Sequence, residues 1–369
     1  MKKVFVCVSN DLYNDNRVKK TCNSLYKYGL EVHVLCVNSK YNHKNQYQNF
    51  VLHPLKRVFK KNIFFYAELN IRIFFFLLFG RFDMVWANDL DTLLGCFLAS
   101  KIRKKDIIYD SHEMFCQLAE LQNNPSAKKV WLNIEKFILP HLKYVITVSS
   151  PIKDYFKKNY NIEAKIVKNI PPSTTKQTFA KTFPLKEKII VWQGAINIDR
   201  SIEDMVLAMK EIDATLYIMG RGDIVKKIKT IIKNNNLEGK VILTGRLGFE
   251  EMMSHTQKAS IGLSLDRPTN ENYKISLPNK IFEYIYSATP IICTPLPEIK
   301  KVVEKYNIGC FIQEPTRENI IKTINNVLQN DELLQQWSNN CLVAKKELSW
   351  QNEEKEIFGI LKQIEQQNS

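Results

Sequence analysis

The chain has 369 residues, 45% of them apolar and 25% charged, which excludes a disordered chain and exceeds what one ordinary core organises, so two domains are expected. Its 12 glycines and 13 prolines exclude a fibrous or linker-rich architecture. The formal net charge of +15 favours anionic partners such as nucleotide phosphates, lipid headgroups or nucleic acid, although a lysine-rich composition accounts for part of it.

The first predicted strand, 4–9, opens the chain with a short apolar run followed by polar residues, a strand rather than a signal peptide. Further strands are predicted in the first half at 31–37, 84–87, 106–109 and 144–148, with helices at 16–28, 64–79, 92–100 and 127–139. None of the eight cysteines forms a C-x-x-C pair or a Cys/His cluster, and several sit in apolar runs, which predicts small hydrophobes in a reducing cytoplasm. His33 and His53 fall in strand or loop without an evident partner and read as structural. Four basic residues precede a Phe-dense helix in "KRVFKKNIFFYAELNIRIFFFLLFGRF" (56–82), where Lys61, Glu68 and Arg72 share one line of a helical wheel. Its longest uncharged apolar run, 73–79, is far short of the roughly 20 residues a span needs. Two readings stand side by side: a helix lying on anionic lipid, with Phe74, Phe75 and Phe76 as the test residues, or a helix buried between strands. Asp89 and Asp91 precede a helix, where Asp caps well. "IIYDSHEMF" (107–115) sets Asp110, Ser111, His112 and Glu113 at a strand end, where a His can also merely cap a turn.

A stretch rich in Pro, Thr and Lys (169–188) breaks the chain. Beyond it, strands are predicted at 188–193, 214–219, 240–244, 261–265 and 290–294, and helices at 201–210, 223–235, 249–254, 279–287 and 297–306. Strands as near-continuous Val/Ile runs alternating with helices imply two α/β doubly wound domains with parallel sheets. The expected division is 1–175, 176–345 and a terminal helix, 346–369, packing back on the first domain. Ligands of such sheets bind beyond the carboxyl ends of the strands, in a cleft faced by both domains. Gly194 and Arg200 lie in one such loop, Gly220 and Arg221 in the next, and single glycines there are weak signals. In "SLPNKIFEYIYSATP" (276–290), Pro278 fits a first turn, Ser276 or Asn279 a cap, and Lys280 adds charge where free N–H groups bind phosphate. Glu283, farther along, can accept both hydroxyls of a ribose; the alternative is a solvated Lys280–Glu283 pair.

"YVITVSS", "VWQGAINIDRSIEDMVLAM", "LYIMGRGD", "VILTGRLGFEEM", "IGLSL" and "NYKISLPNKIFEYIYSATPII" together resemble GT-B fold glycosyltransferases of family 4, most strongly over 190–315 and least over 38–80. The resemblance implies transfer of a sugar from a nucleotide-sugar with retention, usually without a metal or other cofactor. It matches Glu283 to the acid that holds the donor ribose, Arg200 to a phosphate-loop cation and Lys280 to its partner. Departures are Ile275 where many members carry a second acid, Ala195 where an arginine is usual and Ala288 where glycine is usual. Donor-sugar contacts then fall to Glu271, Asn272 or the backbone of 275–277. The resemblance places His112 near the reacting sugar, as the catalytic candidate, and turns Asn14, Asp15, Arg17 and Glu113 toward the acceptor. Asp89 and Asp91 spell the D-x-D that GT-A enzymes use for metal, but the flanking pattern is GT-B, so they read as caps or acceptor-side residues and no metal is expected.

The function implied is a retaining transferase using a UDP- or GDP-sugar and a glycan or lipid-linked acceptor for bacterial surface polysaccharide, cytoplasmic or peripheral on the inner face of the plasma membrane. A GT-B nucleotide-sugar epimerase or hydrolase is the enzymatic alternative. A basic nucleic-acid-binding protein is disfavoured, because no recognition motif is present and the basic residues are scattered; no nucleic-acid partner is expected.

Overall fold

The computed structural model of the chain describes residues 1–37, 47–60, 62–122, 124–171 and 180–368. The chain divides into two compact units, Met1–Asn169 with Trp350–Ser369, and Ile170–Ser349.

The first unit holds β1 (Lys3–Cys7), β2 (Glu31–Val37), β3 (Val51–Leu55), β4 (Met84–Asn88), β5 (Asp106–Ser111), β6 (Tyr144–Thr147) and β7 (Lys165–Ile166) in one sheet ordered β3-β2-β1-β4-β5-β6-β7. Every pairing is parallel. The second unit holds β8 (Ile189–Ala195), β9 (Thr215–Arg221), β10 (Val241–Gly245), β11 (Ile261–Ser264), β12 (Ile291–Cys293) and β13 (Gly309–Phe311), ordered β10-β9-β8-β11-β12-β13, again all parallel. Each sheet starts in its middle, runs outward to one edge and then crosses back. The order therefore reverses between β1 and β4 and between β8 and β11, which is where doubly wound sheets open a ligand crevice.

Central strands such as β1, β4 and β12 are buried along nearly their whole length, as sheets covered on both faces require. β3, β7 and β13 were not predicted. β3 is an edge strand that tolerates Pro54, and β7 and β13 span only two and three residues, too short for a period to register. The helices Ser150–Tyr160, Arg317–Leu328 and Asp331–Glu347 were also not predicted. The first buries only Ile152 and Phe156, a thin stripe.

The helix Asn62–Phe79 packs on the helix Leu90–Arg103, with Lys61 outside the described residues. The two backbones meet at Gly95, where a Cβ would lie 2.4 Å from the Asn70 carbonyl oxygen. The Asn70 side chain seals the contact, donating to Asp91 O at 2.7 Å and accepting from Gly95 N at 2.8 Å. The last helix, Trp350–Asn368, belongs to the first unit. Ile357, Ile360, Leu361 and Ile364 join the core of Val4, Val6 and Trp86, and the Trp350 indole donates to Ser24. The predicted break at 169–188 contains the start of the second unit; residues 172–179 lie outside the described residues. By residue 181 the chain is anchored in that unit, because Lys181 Nζ donates to Ala259 O and to Thr289 Oγ1 at 2.7 Å. No disulfide joins the eight cysteines. His33 and His53, read as lacking partners, bond each other at 2.7 Å, and His33 also meets Glu31 at 2.8 Å.

Candidate active site

In the second unit the site grows from the ends of β8, β9 and β11 and from the helix Asn279–Tyr286. That helix buries Ile281, Phe282, Tyr284, Ile285 and Tyr286, which leaves Glu283 as its half-buried acid. Tyr284 fixes the helix by donating to Leu263 O at 2.9 Å, and its ring fills the space over Gly262, where a Cβ would lie 2.7 Å away. Pro278 occupies the N-cap rather than the first turn, and no side chain caps the helix; Ser276 turns to Tyr273 O instead. The first N–H groups thus keep their capacity for an anion.

Lys280 does not pair with Glu283. Its ammonium is buried 3.5 Å from Asp266 Oδ2 and 4.6 Å from the centre of the Trp192 ring. Burial pulls its pKa down to about 8, against the pull of Asp266. Asp266 also binds Arg200 at 3.0 Å, so one buried carboxylate aligns two cations. The Arg200 guanidinium lies 5.0 Å from the Tyr273 ring, and its Nε is buried without a hydrogen-bond partner among the described residues. Glu283 accepts from Gln193 Nε2, which holds the carboxylate over the end of β8. Gly194 follows at φ +139°, and Gly220 lies so close that a Cβ there would meet the Gly194 carbonyl oxygen at 1.8 Å. Arg221 is exposed at the end of β9, Asn279 is exposed, Glu271 pairs with Lys274 at 2.6 Å, and Asn272 is half-buried beside it.

The first unit carries a second polar cluster at its own crossover. Asp110, at the end of β5, is buried and receives two bonds from Arg17, at 2.6 and 3.3 Å. Arg17 is itself buried, with a further bond to Val167 O at 2.9 Å, so it holds Asp110 instead of facing an acceptor. Burial would raise the Asp110 pKa, but Arg17 and His112 hold it well below the usual carboxylate range. Asp89 stands at the N-cap position with φ +56° and caps nothing; its carboxylate takes His112 N at 2.8 Å and His112 Nδ1 at 2.9 Å. His112 Nε2 lies 3.5 Å from Asp110 Oδ2. Burial opposes the charged imidazole, yet the two carboxylates prevail and lift its pKa to about 10. Asp91 is buried, bonded by Ser9 Oγ at 2.6 Å, and raised to about 7 by burial and by Asp89. Asp15 caps the helix Asn16–Lys27 through Val18 N at 2.9 Å. Asn14 ends the turn Leu12–Asn14, its side chain lying outside what is described, and the Glu113 carbonyl accepts from Ser111.

A family model described as "Glycosyltransferase Family 4" matches residues 16–174, and one described as "Glycosyl transferases group 1" matches residues 173–342. The chain belongs to the GT-B glycosyltransferases of family 4. The chain is 24% identical to an uncharacterized glycosyltransferase of Methanocaldococcus jannaschii over 63% of its own length and 62% of that relative. It is 23% identical to an O-antigen chain mannosyltransferase of Salmonella typhimurium over 55% of its own length and 56% of that relative. The chain thus spans about three fifths of the curated relatives it matches. The fold superposes on the Anabaena protein HepE in complex with UDP-glucose with a TM-score of 0.74, at 12% identity over 98% of this chain and 100% of that one.

Asp266, Gln193 and Trp192 contact the candidate residues Arg200, Lys280 and Glu283 and were not flagged by the sequence. Asp266 sits just past β11, and its strand-end position was the one available signal.

Proposed function

We propose that the protein transfers a sugar, with retention, from a UDP- or GDP-sugar to a glycan or lipid-linked acceptor in the synthesis of a bacterial surface polysaccharide. The observation that carries this reading is the pairing of Arg200 and Lys280 on Asp266 beside an uncapped helix start, with Glu283 farther along the same helix. Two chain cations and free N–H groups suit a diphosphate, and a carboxylate beyond them suits a ribose. The UDP-glucose bound by the HepE structure and the O-antigen mannosyltransferase relative support the donor class and the glycan setting.

In this reading the C–O bond to the diphosphate breaks, one to the acceptor hydroxyl forms on the same face of the sugar, and the hydroxyl proton passes to the departing diphosphate. Arg200 and Lys280 stabilise the leaving charge, and a divalent ion is not called upon. His112 serves as a charged hydrogen-bond donor to a sugar hydroxyl. Its pKa of about 10 makes it an imidazolium at neutral pH, so it is neither nucleophile nor base. Arg17 and Asp110 orient it.

A melting screen across UDP-, GDP- and ADP-sugars tests the donor class. A ligand at 100 times its Kd adds about 2.7 kcal/mol, which moves the midpoint of units this size by roughly 5–10 °C. At least one UDP- or GDP-sugar is expected to do so. No shift with any of them, or a shift with product formed only as an epimer and none on an added acceptor, would contradict the proposal.

A further inference from the structure

One side of the helix Asn62–Phe79 has no protein cover among the described residues. Ile63, Phe64, Ile71, Phe75 and Phe79 are each 50–79% exposed along it. Two apolar hollows flank this ridge. One, of about 710 Å³, is lined by Leu55, Phe59, Phe64, Ile71 and Phe75. The other, of about 420 Å³, is lined by Ile63, Phe74, Leu94, Val130, Trp131 and Ile134. An uncovered apolar surface of this kind marks an interaction site.

The helix has one carboxylate, and the fold uses it to build the rim of that surface. Glu68 pairs with Arg72 at 2.8 Å and accepts the N–H groups of Val58 and Phe59 at 2.9 and 2.8 Å. This holds the preceding loop across the helix. Val58 and Phe59 then stay 72% and 49% exposed, with Lys56, Arg57 and Lys60 exposed around them. Among the described residues none of these three cations has a carboxylate within ion-pair distance. Arg57 lies 5.5 Å from the Phe65 ring.

We infer that this surface rests on an anionic bilayer, with Phe64, Ile71 and Phe75 in the acyl boundary and Lys56, Arg57 and Lys60 at the lipid phosphates. Basic residues beside exposed aromatics on a helix are the chemistry of that interface. A two-fold dimer through the same surface would set the basic rim against itself. The helix is long and apolar enough to cross a membrane by length and composition. Its other side nevertheless buries Phe65, Leu69, Ile73 and Leu77, and Asn70 ties it to Gly95, so it lies on a membrane and does not span one. Phe76, grouped with Phe74 and Phe75 in the sequence reading, packs edge-on against Phe5 and belongs to the protein side.

Flotation of the full chain with vesicles tests this, independently of the transfer reaction. The chain is expected to float with phosphatidylglycerol-containing vesicles and at least tenfold less with pure phosphatidylcholine. Phe64→Ser, Ile71→Ser and Phe75→Ser together should reduce flotation more than tenfold while melting and nucleotide binding stay unchanged. Lys56→Gln with Lys60→Gln should reduce it about 30-fold, at about 1 kcal/mol for each charge. Flotation lost in these variants at an unchanged melting point supports the inference, whether or not the wild type binds a nucleotide. It is overturned if the wild type does not float, or if the triple variant floats as well as the wild type. Sedimentation showing a dimer that the triple variant splits, without vesicle binding, would assign the surface to a second copy and overturn it as well.

Discussion

His112 lies within 2.9 Å of Asp89 and 3.5 Å of Asp110, and these neighbours set its charge. A pKa lifted to about 10 contributes stability that is complete below about 6.5, the value of a free imidazole, and disappears as pH rises toward 10. Asp110 behaves in the opposite sense: its depressed pKa stabilises above the ordinary carboxylate range and loses effect as pH falls. Lys181 and Lys280, lowered by burial to about 7 and about 8, titrate in the same window but equally in any His112 variant. The wild type is therefore expected to lose more urea resistance between pH 7 and 10 than His112→Gln does. Parallel curves for the two would remove the charged-imidazole account. Glu283 was legible because an acid interrupts an apolar helical face. Asp266 was not, because a lone acid after a strand has no spacing to mark it. The Arg17–Asp110 pair joins residues 93 apart, a contact that only the fold creates.

The helix pair Asn62–Phe79 and Leu90–Arg103 shows how little room an element can have. Gly95→Ala places a methyl 2.4 Å from a backbone oxygen that cannot move alone, and overpacking of this kind costs about 1–3 kcal/mol. The same exchange at Gly359, exposed on the last helix with nothing within 4 Å, should be neutral or stabilising by up to about 1 kcal/mol. Calorimetric melting of the two variants checks this contrast; equal melting points would contradict it. At this scale, strands such as β1, β2 and β12 were legible from their apolar runs, and helices such as Pro297–Tyr306 from their period. What escaped was short or lay at an edge: β7 and β13 bury too few residues to leave a pattern. The helix Asn279–Tyr286 was legible as an element, but its uncapped start was not. Whether Ser276 caps the helix or bonds Tyr273 depends on backbone angles that composition does not encode.

Across the whole molecule, one construction is used twice. Each unit is a parallel sheet whose order reverses once, and each gathers buried and half-buried charges near that reversal: Asp110, Asp89 and His112 in the first, Asp266, Lys280 and Arg200 in the second. Alternating strands and helices made this two-sheet plan visible in the sequence, because the plan follows from periodicity. Which charges are buried and which are solvated depends on packing, so Arg17, expected on the acceptor side, is a buried brace of Asp110. The net charge of +15 is consistent with anionic ligands and does not by itself choose among them. The central claim is that Glu283 holds the ribose of a nucleotide whose diphosphate lies at Arg200 and Lys280. The direct measurement is titration calorimetry of UDP and GDP against the wild type and Glu283→Ala, with urea midpoints to confirm that both are folded. Loss of charge-assisted hydrogen bonds worth about 1.5–3 kcal/mol predicts binding weaker by roughly tenfold to a hundredfold in the variant. Equal affinity in two equally folded proteins would contradict the account.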